Sequence, residues 1–164
     1  MTPNKEDYLK CIYEIGTEMQ KITNKEIAAR MQVSPPAVTE MIKRMKSENL
    51  ILKDKENGYL LTDIGLKLVS ELYRKHRLIE VFLVHHLDYT SDQIHEEAEV
   101  LEHTVSDLFV ERLDKLLRFP KTCPHGGTIP AEGELLVEIN NLPLAAVQEA
   151  GTYLLTRVHD SFDI

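Results

Sequence analysis

The sequence predicts a mainly α-helical chain whose N-terminal third is three helices and a short β-hairpin and whose remainder is helical. Two observations predict this. Apolar residues recur at helical spacing behind capping residues over most of the chain, and two short apolar runs flank an Asn-Gly turn near residue 58.

Thr2, Pro3 and Asn4 form a helix start, with Glu6 and Asp7 in the first turn, where the helix dipole favours anions. Tyr8, Ile12, Ile15 and Met19 then mark one face. Thr23-Asn24-Lys25-Glu26 is a capping-box pattern and opens a short second helix carrying Ile27, Ala28 and Met31. Ser34 caps a third helix with Pro35 at its first position, and Val38, Met41, Ile42 and Met45 give its buried face. Leu50-Ile51-Leu52 and Tyr59-Leu60-Leu61 read as strands joined by a turn at Asn57-Gly58. Three helices followed by such a hairpin make a winged helix-turn-helix.

Thr62-Asp63 caps a long helix with Leu68, Leu72, Leu78, Ile79, Phe82 and Leu83 on its apolar positions. Thr90-Ser91-Asp92 opens another. Between Ile94 and Leu117 lie Val100, Leu101, Val105, Leu108, Phe109, Leu113, Leu116 and Leu117, enough for a subunit interface or for the core of an intramolecular bundle. From Phe119 to Pro130 the composition turns to Pro, Gly and Cys, which predicts a loop. A final helix is expected from Leu142 to Ala150, and Tyr153 to Val158 reads as strand-like. These elements divide the chain into a DNA-binding unit (1–63), a helical unit (64–140) and a C-terminal stretch (141–164).

Two cysteines, Cys11 and Cys123, are too few for a disulfide framework or a four-thiolate zinc site. The longest apolar run, near Val81 to Val84, falls far short of the ~20 residues a bilayer span needs, so the expectation is a cytoplasmic protein with no membrane partner. The net charge of −8 argues against nucleic acid, but the charge is unevenly spread. Residues 1–62 are net +1 and residues 63–164 net −9. A nearly neutral front can carry a local basic face, and an acidic rear attracts divalent cations.

In a helix-turn-helix the third helix offers its N-terminal residues to the major groove. Here these are Ser34, Pro35, Pro36, Ala37 and Thr39, with Lys43, Arg44 and Lys46 following at phosphate-reaching positions. Lys53 and Lys55 sit on the wing. Thr23, Asn24 and Lys25 lie at a helix N-terminus, a common phosphate contact.

Glu99, Glu102 and His103 stand at i, i+3 and i+4, with His95 one turn earlier. His76 and Glu80 repeat the i, i+4 spacing, and the loop offers Cys123 and His125. Three carboxylates and four imidazoles stand against a single thiol in this set; carboxylate ligation with imidazole suits manganese or ferrous iron, whereas a purely soft set would point to zinc or copper(I).

Glu6-Asp7-Tyr8-Leu9, the segment from Ser34 to Met45, Lys75-His76-Arg77-Leu78-Ile79-Glu80 and Ala98-Glu99-Val100-Leu101-Glu102-His103 resemble the diphtheria toxin repressor family, above all its manganese-responsive branch. The resemblance covers almost the whole chain. It implies a primary regulatory metal site of Asp7, Glu99, Glu102 and His103. It also implies an ancillary site of His76, Glu80 and His95, joined in longer members by Cys123, His125 and a later carboxylate, here Asp160. The family usually has Met or Glu one turn after Asp7, and this chain has Lys10. Longer members carry a C-terminal SH3-like domain whose first strand Tyr153 to Val158 resembles, so that domain is expected to be absent or truncated.

The function this implies is a homodimeric repressor of metal-uptake genes, not an enzyme, with Mn2+ as corepressor and Fe2+ or Zn2+ as alternatives. Its operator would be pseudo-palindromic double-stranded DNA. A winged-helix regulator sensing an organic ligand is the alternative. A di-metal carboxylate enzyme would need two facing Glu-x-x-His motifs, whereas the spacing here is Glu99-x-x-Glu102 with no second copy.

Overall fold

The computed structural model describes residues 4–18, 21–137 and 143–158. Its described elements are six α-helices, one hairpin and a single 3-10 turn: α1 (Lys5–Thr17), α2 (Asn24–Met31), α3 (Pro35–Ser47), β1 (Ile51–Asp54), β2 (Gly58–Leu61), α4 (Asp63–Leu87), α5 (Ser91–Leu101) and α6 (Asp107–Leu116). The chain divides into two compact units, Met1–Glu71 and Leu72–Ile164, with the division falling inside α4.

In the first unit each element starts where its sequence supplies a cap. The Asn4 side chain accepts from the backbone of Glu6 and Asp7, and the Asp7 carboxylate accepts from Asn4 N at 2.6 Å, which closes a capping box. The Thr23 hydroxyl accepts from Glu26 N at 3.2 Å, but Glu26 gives no reciprocal bond because its carboxylate pairs with Arg30 at 2.9 Å. Gln32 ends α2 in the left-handed region, and Ser34 then caps α3 with Pro35 in its first turn. Tyr8, Leu9, Ile12 and Ile15 of α1, Ile27 of α2, and Val38, Ile42 and Met45 of α3 are buried. Each full burial of such a side chain stabilises the fold by roughly 1.5–3 kcal/mol.

The hairpin is antiparallel with Ile51 opposite Leu61 and Asp54 opposite Gly58. Asp54 ties the turn by accepting from the backbone of Asn57 and Glu56, and these bonds hold its carboxyl below the ordinary value. Gly58 sits at φ +83°, where a Cβ would lie 1.9 Å from the Ile22 carbonyl, so the wing docks on the chain before α2 only because that position is glycine. Thr62 accepts from Gly65 N at 3.1 Å and starts α4, the 25-residue helix.

The core of the second unit joins Leu78, Ile79, Val81 and Leu83 of α4 to Ile94 and Ala98 of α5, Val110 and Leu113 of α6, and Cys123 and Ile129 of the loop that follows. The buried Arg74–Asp114 pair, at 2.7 Å, fastens α4 to α6. Leu108, Phe109 and Leu116 of α6 and the adjacent Phe119 remain exposed.

Two C-terminal expectations fail. Over the described part of the stretch from Leu142 to Ala150 there is only a 3-10 turn, Leu144–Ala146, entered through Pro143, and Leu142 lies outside the described residues. Leu144 is 79% exposed, so no packing rewards a longer helix there. Tyr153 to Val158 forms no strand; its Val158 N–H donates instead to the His125 carbonyl at 3.0 Å. Among the described residues no SH3-like sheet is formed, and no helix is long and apolar enough to cross a membrane.

Candidate metal centre and nucleic-acid interface

α4 contributes His76 and Glu80 one turn apart, and both side chains are buried. The His76 ring closes between two carboxylates: its Nδ1 lies 2.6 Å from Glu102 Oε2 and its Nε2 lies 3.2 Å from Glu80 Oε1. α5 ends at Leu101, and Glu102 is its C-cap with φ −56° and ψ −31°. The helical spacing therefore persists through Glu102, which keeps it one turn beyond Glu99. His103, in the turn beyond, places Nε2 3.4 Å from Glu102 Oε1. Glu99 Oε1 is 3.9 Å from His76 and 4.0 Å from His95.

The loop after α6 supplies the other donors. A bridge between Thr122 and Thr128 folds it back on itself, Cys123 N donates to Gly127 O, and Gly126 N donates to Cys123 O. Arg77, fully buried and stacked on Tyr73 with its guanidinium carbon 4.7 Å from the ring centre, donates to Thr128 O at 2.6 Å and anchors the loop to α4. This turns Cys123 and His125 inward. His125 Nδ1 lies 3.3 Å from Glu80 Oε1.

Ligating atoms within 4.8 Å of one another then form three overlapping groups: His76, Glu80 and His95; Glu80, Cys123 and His125; and His76, Glu99 and Glu102. Glu80 belongs to two of them and His76 to two. Buried Glu80 Oε2 and both ring nitrogens of His125 have no hydrogen-bond partner. Such groups are costly to bury unsatisfied, and a cation between them would satisfy Glu80 Oε2 and one of the two His125 nitrogens, so the donor set fits a divalent ion. Burial pushes the Glu80 carboxyl up. The His76 hydrogen bond, the charges of His76 and His125 and the Cys123 hydrogen bond outweigh it and hold the group below the ordinary carboxylate value. Carboxylate, imidazole and thiolate together suit manganese, iron or zinc.

Asp7 stands on α1 of the first unit, where its carboxylate also serves the capping box. Lys10 of the same helix is buried. Asp160 lies outside the described residues, two positions beyond Val158. Sequence reasoning missed Arg77 as the anchor of the loop and His76 as the link between Glu80 and Glu102. The i, i+4 spacing signals the first of those contacts, while the second joins residues 26 apart in the chain.

Pro35, Pro36, Thr39, Lys43, Arg44 and Lys46 are exposed on α3, as are Ser34 before it and Lys25 on α2. Thr23 is committed to the α2 cap, and Asn24 Nδ2 donates to Thr39 Oγ1 at 3.2 Å, joining the start of α2 to the outer face of α3. Arg44 is paired with Glu48 at 3.0 Å.

Two family profiles match the chain: "Iron dependent repressor, N-terminal DNA binding domain" over residues 1–59 and "Iron dependent repressor, metal binding and dimerisation domain" over residues 62–131. The diphtheria toxin repressor of Corynebacterium diphtheriae is 32% identical over 155 residues, 93% of this chain and 69% of that protein. The crystal structure of ScaR with bound Zn2+ is similar at 74% identity and a TM-score of 0.91, covering 96% of this chain and 74% of that one. The structure of the manganese regulator SloR is similar at 65% identity and a TM-score of 0.88, covering 99% and 75%. The chain thus spans about two thirds to three quarters of the length of these relatives.

Proposed function

The chain belongs to the iron-dependent repressor family, that of the diphtheria toxin repressor, and from this premise we propose that it is a manganese-responsive repressor of metal-uptake genes with the ion as corepressor. The family is one of DNA-binding, metal-dependent repressors rather than enzymes. The observation that carries the metal reading is the buried group of Glu80, Cys123 and His125, whose Glu80 Oε2 and His125 nitrogens have no hydrogen-bond partner. One similar solved structure is that of the manganese-activated repressor ScaR, which supports the same metal here.

In this reading Asp7, Glu99, Glu102 and His103 would hold one ion, and His76, Glu80 and His95, joined by Cys123, His125 and Asp160, would hold the other. The ion would supply positive charge that offsets the repulsion among the clustered carboxylates. Fe2+ and Zn2+ fit the same donors less selectively. His76, bonded on one side to Glu80 and on the other to Glu102, orients a carboxylate of each set. Coordination through Asp7 ties the DNA-binding helices to the metal-binding part and biases the dimer toward one spacing of its recognition helices. The exposed apolar residues Leu108, Phe109, Leu116 and Phe119 suit the dimer contact. A two-fold dimer calls for a pseudo-palindromic operator with half-sites about one helical turn, or a multiple, apart. Since DNA is the partner, the protein works in the cytoplasm.

Glu102→Ala tests the assignment. It removes a buried carboxylate, and the expected outcome is loss of manganese-dependent DNA binding with an unchanged far-ultraviolet circular dichroism spectrum. An unaltered manganese response would sink it.

A further inference from the structure

Resting on the reading of α3 as the DNA-reading helix, the geometry points to Glu40 as its base-reading residue. The carboxylate accepts a hydrogen bond from an exocyclic amino group in the major groove, cytosine N4 in preference to adenine N6.

Val38, Ile42 and Met45 are the buried residues of α3, so at about 100° per residue the centre of the outward face is Pro36, Glu40, Lys43 and Ser47. Glu40 is exposed there. The other residues of the first two turns have little hydrogen-bonding capacity left for a base. Pro35, Pro36 and Ala37 have no polar side chain, and the oxygen of Ser34 caps the helix by accepting from Ala37 N. Thr39 donates its hydroxyl to Pro35 O at 3.0 Å and accepts from Asn24. What remains is the Glu40 carboxylate.

Nor is that carboxylate neutralised by its own helix. Arg44, four residues on, is its natural partner. Arg44 instead turns the other way to Glu48, which Lys5 also holds at 2.5 Å. A carboxylate placed among phosphates is repelled, so it favours binding only where a base offers it a donor. In the major groove the exocyclic amines of cytosine and adenine are the donors. Adenine sets its N7 acceptor beside N6, which repels the second carboxylate oxygen, and cytosine has no such neighbour.

The test selects a randomised double-stranded DNA library with the manganese-loaded wild-type protein, Glu40→Ala and Glu40→Gln. The wild type is expected to select cytosine at one symmetry-related pair of positions, with other bases there weakening binding about ten- to a hundredfold. Glu40→Ala should lose that preference while keeping the rest of the profile. Glu40→Gln should move it to adenine, since an amide pairs with N6 and N7 together. If the wild type selects adenine at that pair and Glu40→Ala relaxes it, the amino-group contact stands with adenine as its source. Identical profiles for all three proteins would overturn the inference. Selection of no sequence by the manganese-loaded wild type would overturn the repressor reading itself, a result distinguishable from the first.

Discussion

Gly126 holds the loop that presents Cys123 and His125 against the C-terminal segment, and replacing it with alanine tests whether that closure matters to the metal. Gly126 adopts φ +84°, and a Cβ there would lie 2.1 Å from the Thr156 carbonyl oxygen and 3.1 Å from Arg157 Cα. Both obstacles are backbone, so the segment must move. An L-residue in this conformation costs about 1–2 kcal/mol, and loss of the Val158-to-His125 backbone bond adds about 0.5–1.5 kcal/mol. Cys123 and His125 gather beside Glu80 only in this arrangement, so the strain counts against metal binding. A total of about 1.5–3.5 kcal/mol corresponds to about 13- to 370-fold weaker affinity. Gly133→Ala is the control, because Gly133 has φ +75° but a Cβ there meets nothing within 4 Å. Competition against a chromophoric chelator measures both variants. Equal metal affinities for Gly126→Ala and Gly133→Ala would refute the reasoning.

Three further outcomes follow from the same geometry. Cys123→Ser removes the soft donor next to Glu80 and should weaken Cd2+ binding by more than about 100-fold while leaving Mn2+ within about tenfold; calorimetry that finds equal losses for both ions would contradict thiolate ligation. The Glu80 carboxyl lies below the ordinary value of 4.5 in the folded chain, so its contribution to stability is present above that pH and is lost as pH falls through the folded value. With chelator present, the difference in melting temperature between wild type and Glu80→Gln should therefore change on acidification below about 4.5; parallel curves would count against it. Burial pushes the Cys11 thiol up to about 12, with Glu14 adding to the effect, so alkylation at pH 8 should leave it unmodified until urea unfolds the protein, as mass spectrometry would report.

The first unit was legible because its signals are local. Ser34-Pro35 states where α3 begins, Asn57-Gly58 states where the hairpin turns, and the spacing of Val38, Ile42 and Met45 states which side is buried. The metal donors were legible as residue types at helical spacing, since Glu99 and Glu102 or His76 and Glu80 share a face on any helix. How they assemble was not. The bond from Arg77 to Thr128 spans 51 positions and that from His76 to Glu102 spans 26, and no local pattern encodes either. The misread C-terminal elements fail for a related reason. The spacing of apolar residues from Leu142 to Ala150 suggests a helix, but a segment this short gains little without a surface to pack on. Tyr153 to Val158 has strand composition without a partner strand among the described residues, and β-propensity mostly reports fit to a sheet that already exists.

The central claim is that manganese switches on DNA binding. Fluorescence anisotropy of labelled DNA from upstream of a metal-transporter gene, titrated with the protein first in chelator and then in rising Mn2+, tests it most directly. The account predicts weak, salt-sensitive binding in chelator and a rise in affinity of at least tenfold with Mn2+. Equal affinity in both conditions would contradict it.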